Sequence, residues 1–123
     1  WRIALALISG VLALGAVTTP SPAEAASYGW VYVVVDHSVC GQSGVVVRNV
    51  QGNFNWGGGS STINWEGDGD NVIYPRVILN SKVNYQINAA CFKKVSGRWI
   101  AVGYRALTGS FTAARHQQWI TVR

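Results

Sequence analysis

Apolar and polar residues alternate with a period of two in several segments of the chain after residue 26, most clearly in 53–56, 62–65 and 83–92. In the segment 83–92 the odd-numbered positions are apolar, while several even-numbered positions carry amide side chains. The segments 30–35 and 45–47 are runs of β-branched and aromatic residues. Both patterns are typical of β-strands, and no part of this region has a helical period. The sequence therefore predicts an all-β chain.

Seven or eight short strands follow from these patterns. The predicted strands are 30–35, 45–47, 53–56, 62–65, 72–79, 83–92, 99–104 and 118–122, with 108–114 ambiguous. Pro75 indicates an edge strand or a bulge, because proline cannot donate to a sheet ladder. Short strands separated by regular turns predict a small antiparallel β-sandwich, with an immunoglobulin-like arrangement as one form and a small β-barrel as the alternative. Position 89 is Ala where an immunoglobulin tyrosine corner has Tyr, so no family is assigned.

One hairpin can be predicted with its register, around a two-residue turn at Ser96-Gly97. The predicted pairs are Val95 with Arg98, Cys91 with Val102, Ala89 with Tyr104 and Ile87 with Ala106. These pairs put apolar side chains on the same face as Val83, and a slip of one residue would spoil the match. The opposite face would carry Asn84, Gln86, Asn88, Phe92, Trp99 and Arg105.

Residues 1–25 have the features of a cleaved secretory signal peptide. Arg2 precedes an uncharged apolar stretch, helix-breaking residues follow it, and Ala23-Glu24-Ala25 has the small-x-small form of a cleavage site. The apolar stretch is shorter than the ~20 residues that a membrane-spanning helix needs. We therefore expect a secreted, extracellular protein without a membrane span, with a single all-β domain over residues 26–123.

Composition and cysteine usage narrow the class of protein. Hydrophobic residues make up 49% of the chain and charged residues 12%, which excludes an intrinsically disordered chain. Two cysteines and two histidines are too few for a zinc module or an iron–sulfur site. Because export places the chain in an oxidising compartment, Cys40 and Cys91 are predicted to form a disulfide, which would stabilise the fold by ~4 kcal/mol.

The titratable residues do not form a recognisable catalytic group. His37 adjoins Asp36, but neighbouring residues of a strand point to opposite faces. No serine lies in a nucleophile elbow, and the predicted disulfide uses both thiols. We expect a non-enzymatic protein without a cofactor or a metal.

The loop 66–71 alternates acidic residues with glycine. Carboxylates in a Gly-rich turn could bind Ca²⁺, but the bidentate Glu that completes an EF-hand loop is missing. We interpret the loop as a solvated turn whose Gly, Asp and Asn residues supply the backbone angles, with calcium binding as the alternative.

Charge is distributed unevenly along the chain. Residues 71–123 carry eight Lys and Arg residues and no acid, whereas residues 26–70 have a balance of −3. Lys93, Lys94 and Arg98 crowd the predicted hairpin tip. This pattern favours binding of an anionic partner. The alternative is that the charged residues only keep the protein soluble. Export disfavours nucleic acid and favours an anionic cell-wall polymer, a membrane surface or an acidic glycan.

Aromatic residues are frequent, and most of them are expected in the core. Phe92 and Trp99, however, fall on the polar face of the predicted hairpin. Rings flanked by amides suit a sugar, because the ring stacks on C–H faces while the amides bind hydroxyls. The alternative is that the second sheet covers this face. A second candidate surface combines Phe54, Trp56, Ile63 and Trp65 with Asn53, Asn55 and Asn64.

These observations lead to three functional hypotheses. The first is a secreted, monomeric, non-enzymatic module that binds extracellular carbohydrate or an anionic cell-wall polymer through the aromatic and amide face and the basic hairpin. The second is an inhibitor of an extracellular hydrolase, acting through the rigid tip 93–98. The third is a cationic antimicrobial or toxin-like protein.

Overall fold

The structure is a computed structural model, and it describes residues 26–66 and 69–123. The predicted signal segment 1–25 lies outside the described residues, as do Gly67 and Asp68 of the acidic loop. A 3₁₀ helix, His37–Cys40, follows the second strand. The strands of the described residues are β1 Tyr28–Trp30, β2 Tyr32–Val35, β3 Val45–Trp56, β4 Gly59–Glu66, β5 Val72–Ile73, β6 Arg76–Ile78, β7 Lys82–Val95, β8 Arg98–Thr112 and β9 Trp119–Val122.

Four strands form an antiparallel sheet in the order β4–β3–β7–β8, which we call the long sheet. β3 unites the predicted strands 45–47 and 53–56, and β8 unites 99–104 with most of the ambiguous segment 108–114. Register shifts interrupt the pairing of β3 with both neighbours and the pairing of β7 with β8. Such bulges bend long strands and increase their twist.

The remaining strands form a second layer, with β9–β2–β5 in one group and β1–β6 in the other. Val31 alone separates β1 from β2, and its N–H donates to the carbonyl of Pro75, 3.1 Å away. Pro75 lies between β5 and β6, so the predicted strand 72–79 is divided at its proline. β9 runs parallel to β2, whereas the other pairs are antiparallel, which departs from the predicted all-antiparallel arrangement.

The two layers pack face to face around an apolar core. The second layer contributes Val31, Val33, Val35, Ile73, Val77 and Val122, and the long sheet contributes Val47, Val50, Phe54, Val83, Ile87, Ala89 and Cys91. A disulfide joins Cys40 of the 3₁₀ helix to Cys91 of β7, with Cα atoms 5.9 Å apart. The structure confirms both the small all-β sandwich and the disulfide predicted from the sequence.

The β7–β8 hairpin starts in the predicted register and then departs from it. Val95 pairs with Arg98, but Cys91 pairs with Gly103 instead of Val102, because a bulge inserts one extra residue into β8. Beyond the bulge the predicted pairing is wrong by one residue, and the observed pairs include Ala89 with Arg105 and Ile87 with Leu107. The shift turns Leu107 and Phe111 toward the core, where both are packed against it. The larger apolar side chains thereby gain burial, and Tyr104 and Ala106 are exposed.

Candidate functional site

The outer face of the long sheet is open and rich in amide side chains. In β7, Asn84, Gln86 and Asn88 alternate with buried residues and are exposed. Each is paired across the sheet with another amide: Asn84 with Asn55, Gln86 with Asn53 and Asn88 with Gln51. We call these six side chains the amide face. The predicted amides of the hairpin are therefore exposed to solvent, and the second layer packs on the other side of the sheet.

Hydroxyl side chains flank the amide face on both neighbouring strands. On β4, Thr62 is paired with Asn53, and its Oγ1 donates to Asn53 Oδ1 at 2.6 Å. On β8, Thr108 is paired with Gln86 and Ser110 with Asn84. The rows of polar groups therefore extend across all four strands and offer both hydrogen-bond donors and acceptors.

Aromatic rings occupy the end of this surface nearest the hairpin tip. Tyr104 of β8 is 64% exposed, and its ring lies 6.0 Å from that of Trp65 of β4. Trp99 is 38% exposed, with the Arg48 guanidinium 4.3 Å and the Lys94 ammonium 5.5 Å from its ring centre. Cations at these distances attract the ring face and restrict the orientation of the indole. Phe92, on the same side, is half-buried.

Of the basic hairpin residues, Lys94 lies on the same side of the sheet as this aromatic end, and Lys93 and Arg98 alternate to the other side. Lys93, Lys94 and Arg98 are all exposed, and Lys94 is paired directly with Trp99. Ser96 and Gly97 have φ angles of 51° and 78°, the positive values that a tight two-residue hairpin turn requires. The positive charge is therefore held on a well-defined turn at one end of the sheet.

Arg105 does not belong to the amide face. Because of the bulge it is paired with Ala89 and lies on the core side of the sheet. Its Nε donates to the carbonyl of Val39 at 3.0 Å, and its Nη2 donates to the carbonyl of Cys40 at 3.4 Å. Arg105 thus fixes the end of the 3₁₀ helix beside the disulfide. Its predicted position on the polar face of the hairpin is wrong.

The residues of the second candidate surface, which the sequence analysis placed around Phe54 and Trp65, lie in different parts of the fold. Phe54 is fully buried, and Ile63 is half-buried against the core. Trp56 lies at the rim, where its ring packs 6.1 Å from that of Tyr28. Trp65, in contrast, joins the aromatic end of the amide face, and Asn64 is exposed.

A further group of exposed rings was not singled out in the sequence. It lies on the outer face of the second layer, and we call it the ring surface; it consists of the exposed rings of Tyr28, Trp30, Tyr74 and Trp119 together with the half-buried ring of Tyr32. Its sequence signal was the alternation of rings with Gly29, Val31 and Val33 through β1 and β2. That signal was missed because apolar residues on both faces are equally typical of a strand buried on both sides.

Both histidines accept backbone hydrogen bonds. His37 Nδ1 accepts from the N–H of Val47 at 2.9 Å, and His116 Nδ1 accepts from the N–H of Trp30 at 3.0 Å. Asp36 Oδ1 accepts from the N–H of Ser38 at 2.8 Å. That bond, and a second one from the Ser38 hydroxyl, hold the pKa of Asp36 below its usual value. These contacts give all three side chains a structural role.

The acidic loop is described only in part. Asp70 Oδ1 accepts from the N–H of Val72 at 3.0 Å, which fixes the start of β5. Within residues 26–66 and 69–123 no three His, Cys, Asp or Glu residues form a group that could hold a metal ion. The same ranges contain no helix with the length and apolar composition needed to cross a bilayer.

Comparison of the chain with known proteins gives no assignment. No family model, curated protein or solved structure matches it. The chemistry of the surfaces described above is therefore what any functional proposal must rest on.

Proposed function

We propose that this protein is a non-enzymatic module that binds a carbohydrate polymer outside the cell through the amide face and its aromatic end. One observation carries the proposal: paired rows of amides, all exposed except the half-buried Gln51, run along an open sheet and end at the exposed rings of Trp65, Tyr104 and Trp99. The two halves of this surface match the two kinds of group that a sugar presents.

The amides suit sugar hydroxyls because each amide offers both a donor and an acceptor. Asn88 Nδ2 already donates to Gln51 Oε1 at 3.4 Å, so neighbouring amides can orient one another. The rings suit the apolar C–H faces of a sugar, which pack against an aromatic face and leave the hydroxyls at the edge. A chain of sugar units could follow the strands from one region to the other.

The basic hairpin supports a preference for acidic polymers. Lys94 is paired with Trp99 at the aromatic end, Lys93 and Arg98 are exposed near the same turn, and none of the three lies among the amides. A neutral contact surface with positive charge at one end attracts an anionic chain without requiring a charge at every sugar. The Cys40–Cys91 disulfide supports an extracellular setting, since disulfides persist in oxidising compartments.

The test is the partition of the oxidised protein onto cell wall, chitin, cellulose and anionic glycans. We expect the triple variant Asn84→Ala, Gln86→Ala, Trp99→Ala to lose about tenfold or more in partition constant on the polymer that retains the wild type. Gln42→Ala is the matched control, because this exposed amide lies outside the amide face. Equal retention of the triple variant and the wild type would refute binding at this surface.

A second candidate function rests on the hairpin tip. The exposed residues 93–98 protrude on a turn of defined geometry, as does the reactive loop of a rigid inhibitor. Basic side chains there could enter the acidic specificity pocket of a trypsin-like protease. This candidate fails if an excess of the protein leaves trypsin-like and glycosidase activities unchanged.

A further inference from the structure

The ring surface lies on the side of the sandwich opposite to the amide face. Along β1 and β2, Val31, Val33 and Val35 point into the core, so Trp30 and Tyr32 point outward. Tyr74, from the break between β5 and β6, and Trp119, from β9, flank them on either side. The side chains thus come from three neighbouring segments of one layer.

Ring–ring contacts around Tyr32 hold several of these side chains in place, and the surface nevertheless remains accessible to solvent. Tyr32 stacks on Trp119 with ring centres 4.6 Å apart and an interplanar angle of 22°. Tyr74 meets Tyr32 edge-on at 5.1 Å. Trp119 is nevertheless 62% exposed and Trp30 51% exposed. Large rings left open on a rigid sheet are costly in water unless a partner covers them.

We propose that the ring surface is a second binding site for a polysaccharide chain, separate from the amide face, so that one molecule can hold two chains. The two outer faces of a sandwich point in opposite directions, with the core between them. A single extended chain therefore cannot lie on both faces, and a protein with two such sites cross-links its ligand. The second site shares no residue with the amide face, whereas the cross-linking rests on the proposed function because it needs both sites.

A polysaccharide fits this surface better than a second copy of the protein does. Aromatic side chains have about 150–250 Å² of surface each. With roughly half of that exposed, the four exposed rings offer on the order of 400 Å². A stable protein interface buries roughly 800 Å² per partner. Two copies would also bring Arg76, paired with Trp30, toward its equivalent in a chain whose net charge is already +5.

A membrane surface fits less well too. Peripheral binding to lipid needs apolar side chains that insert, together with a cluster of about 4–8 cations. On this face the neighbouring aliphatic residues Val34 and Val72 are half-buried, and Arg76 supplies a cation that is held 4.7 Å over the ring of Tyr28. Tyr hydroxyls, indole N–H groups and a guanidinium around open ring faces are instead the groups that sugar hydroxyls can pair with.

The experiment compares Trp30→Ala/Trp119→Ala with the amide-face triple variant and the wild type. Partition is measured on chitin, cellulose and cell-wall particles, and cross-linking is measured as the clumping of the same particles in suspension. We expect the ring-surface variant to bind about tenfold more weakly and to lose clumping, while keeping the retention due to the amide face. Trp119→Phe, which keeps a ring over Tyr32, should stay near the wild type, and thermal unfolding checks that each variant is folded.

Several outcomes would overturn the second site. One is a ring-surface variant that binds and clumps particles as the wild type does, and another is the absence of retention on every polymer. Binding of the wild type to phosphatidylcholine or phosphatidylglycerol vesicles, lost in the variant, would assign the surface to a membrane. A wild-type dimer that the variant converts to a monomer would assign it to a second copy. If only the amide-face triple variant binds as the wild type does, the proposed function fails and the cross-linking fails with it, while binding at the ring surface stands.

Discussion

At the scale of the residue, single polar side chains fix the irregular segments of the fold. Asp36 caps the 3₁₀ helix, His37 holds the start of β3, and His116 holds β1. Arg105 bonds to the carbonyls at the end of the same 3₁₀ helix. The sequence analysis considered Asp36 and His37 for catalysis and set them aside, and it proposed Arg105 as a binding residue. Their hydrogen bonds to the backbone could not be predicted, because each connects segments whose relative position depends on the whole fold.

Asp36 makes stability depend on pH at the acidic end. Hydrogen bonds from Ser38 lower its pKa in the folded protein, so the ionised form is favoured by folding. The resulting stabilisation is present above the unfolded pKa of about 3.9 and is lost as the pH falls through the lower folded value. We expect Asp36→Asn to be less stable than the wild type in urea at pH 7, with the difference shrinking below about pH 4. A difference that stays constant down to pH 2 would contradict this role.

At the scale of the element, the alternation of apolar and polar residues predicted which side chains of β7 face the core, but it failed for β8 beyond the bulge. In β7 one face carries valine and isoleucine and the other carries amides. It is therefore unambiguous which alternate residues face the core. In β8 both phases contain apolar residues, and Tyr104 and Leu107 compete for the same side of the strand. The Ser96-Gly97 turn fixes the register only up to the bulge at Val102. A single extra residue then reverses the faces beyond it, and this is why Arg105 was predicted on the wrong side.

Two serine substitutions distinguish the observed register from the uninterrupted one. The structure packs Leu107 against the core and exposes Ala106. We expect Leu107→Ser to lower the free energy of unfolding by about 2 kcal/mol, because it removes apolar contact and brings a hydroxyl to the core. Ala106→Ser should change it by less than about 0.5 kcal/mol. Denaturant unfolding of both variants measures the two values, and the reverse order would support the register without the bulge.

At the scale of the whole molecule, the sequence predicted the layered architecture and only one of its two exposed faces. Strand count, turn spacing and cysteine content were enough for a stapled sandwich. The amide face was predictable because polar residues mark a strand's outer side. The ring surface was not predictable, because Trp30 and Tyr32 on the outer face are apolar, as are Val31 and Val33 in the core. The sequence alone does not distinguish the two sets. Exposed rings grouped on one face are evidence of a partner that the fold itself does not contain.

Positive charge is distributed unevenly over the molecule. Its long-range attraction for an anionic polymer can therefore be measured separately from direct contact at the hairpin. Charges at the hairpin should add to binding of acidic polymers only at low salt, because the Debye length shrinks from about 10 Å at 0.1 M to about 3 Å at 1 M. We expect Lys93→Gln/Arg98→Gln to weaken retention on an anionic glycan at low salt, and to match the wild type at about 1 M salt and on a neutral polymer. Lys82→Gln/Arg115→Gln removes the same charge elsewhere and should have a smaller effect. Equal losses in the two double variants would mean that the basic half attracts anions through its overall field, and that the hairpin makes no contact of its own.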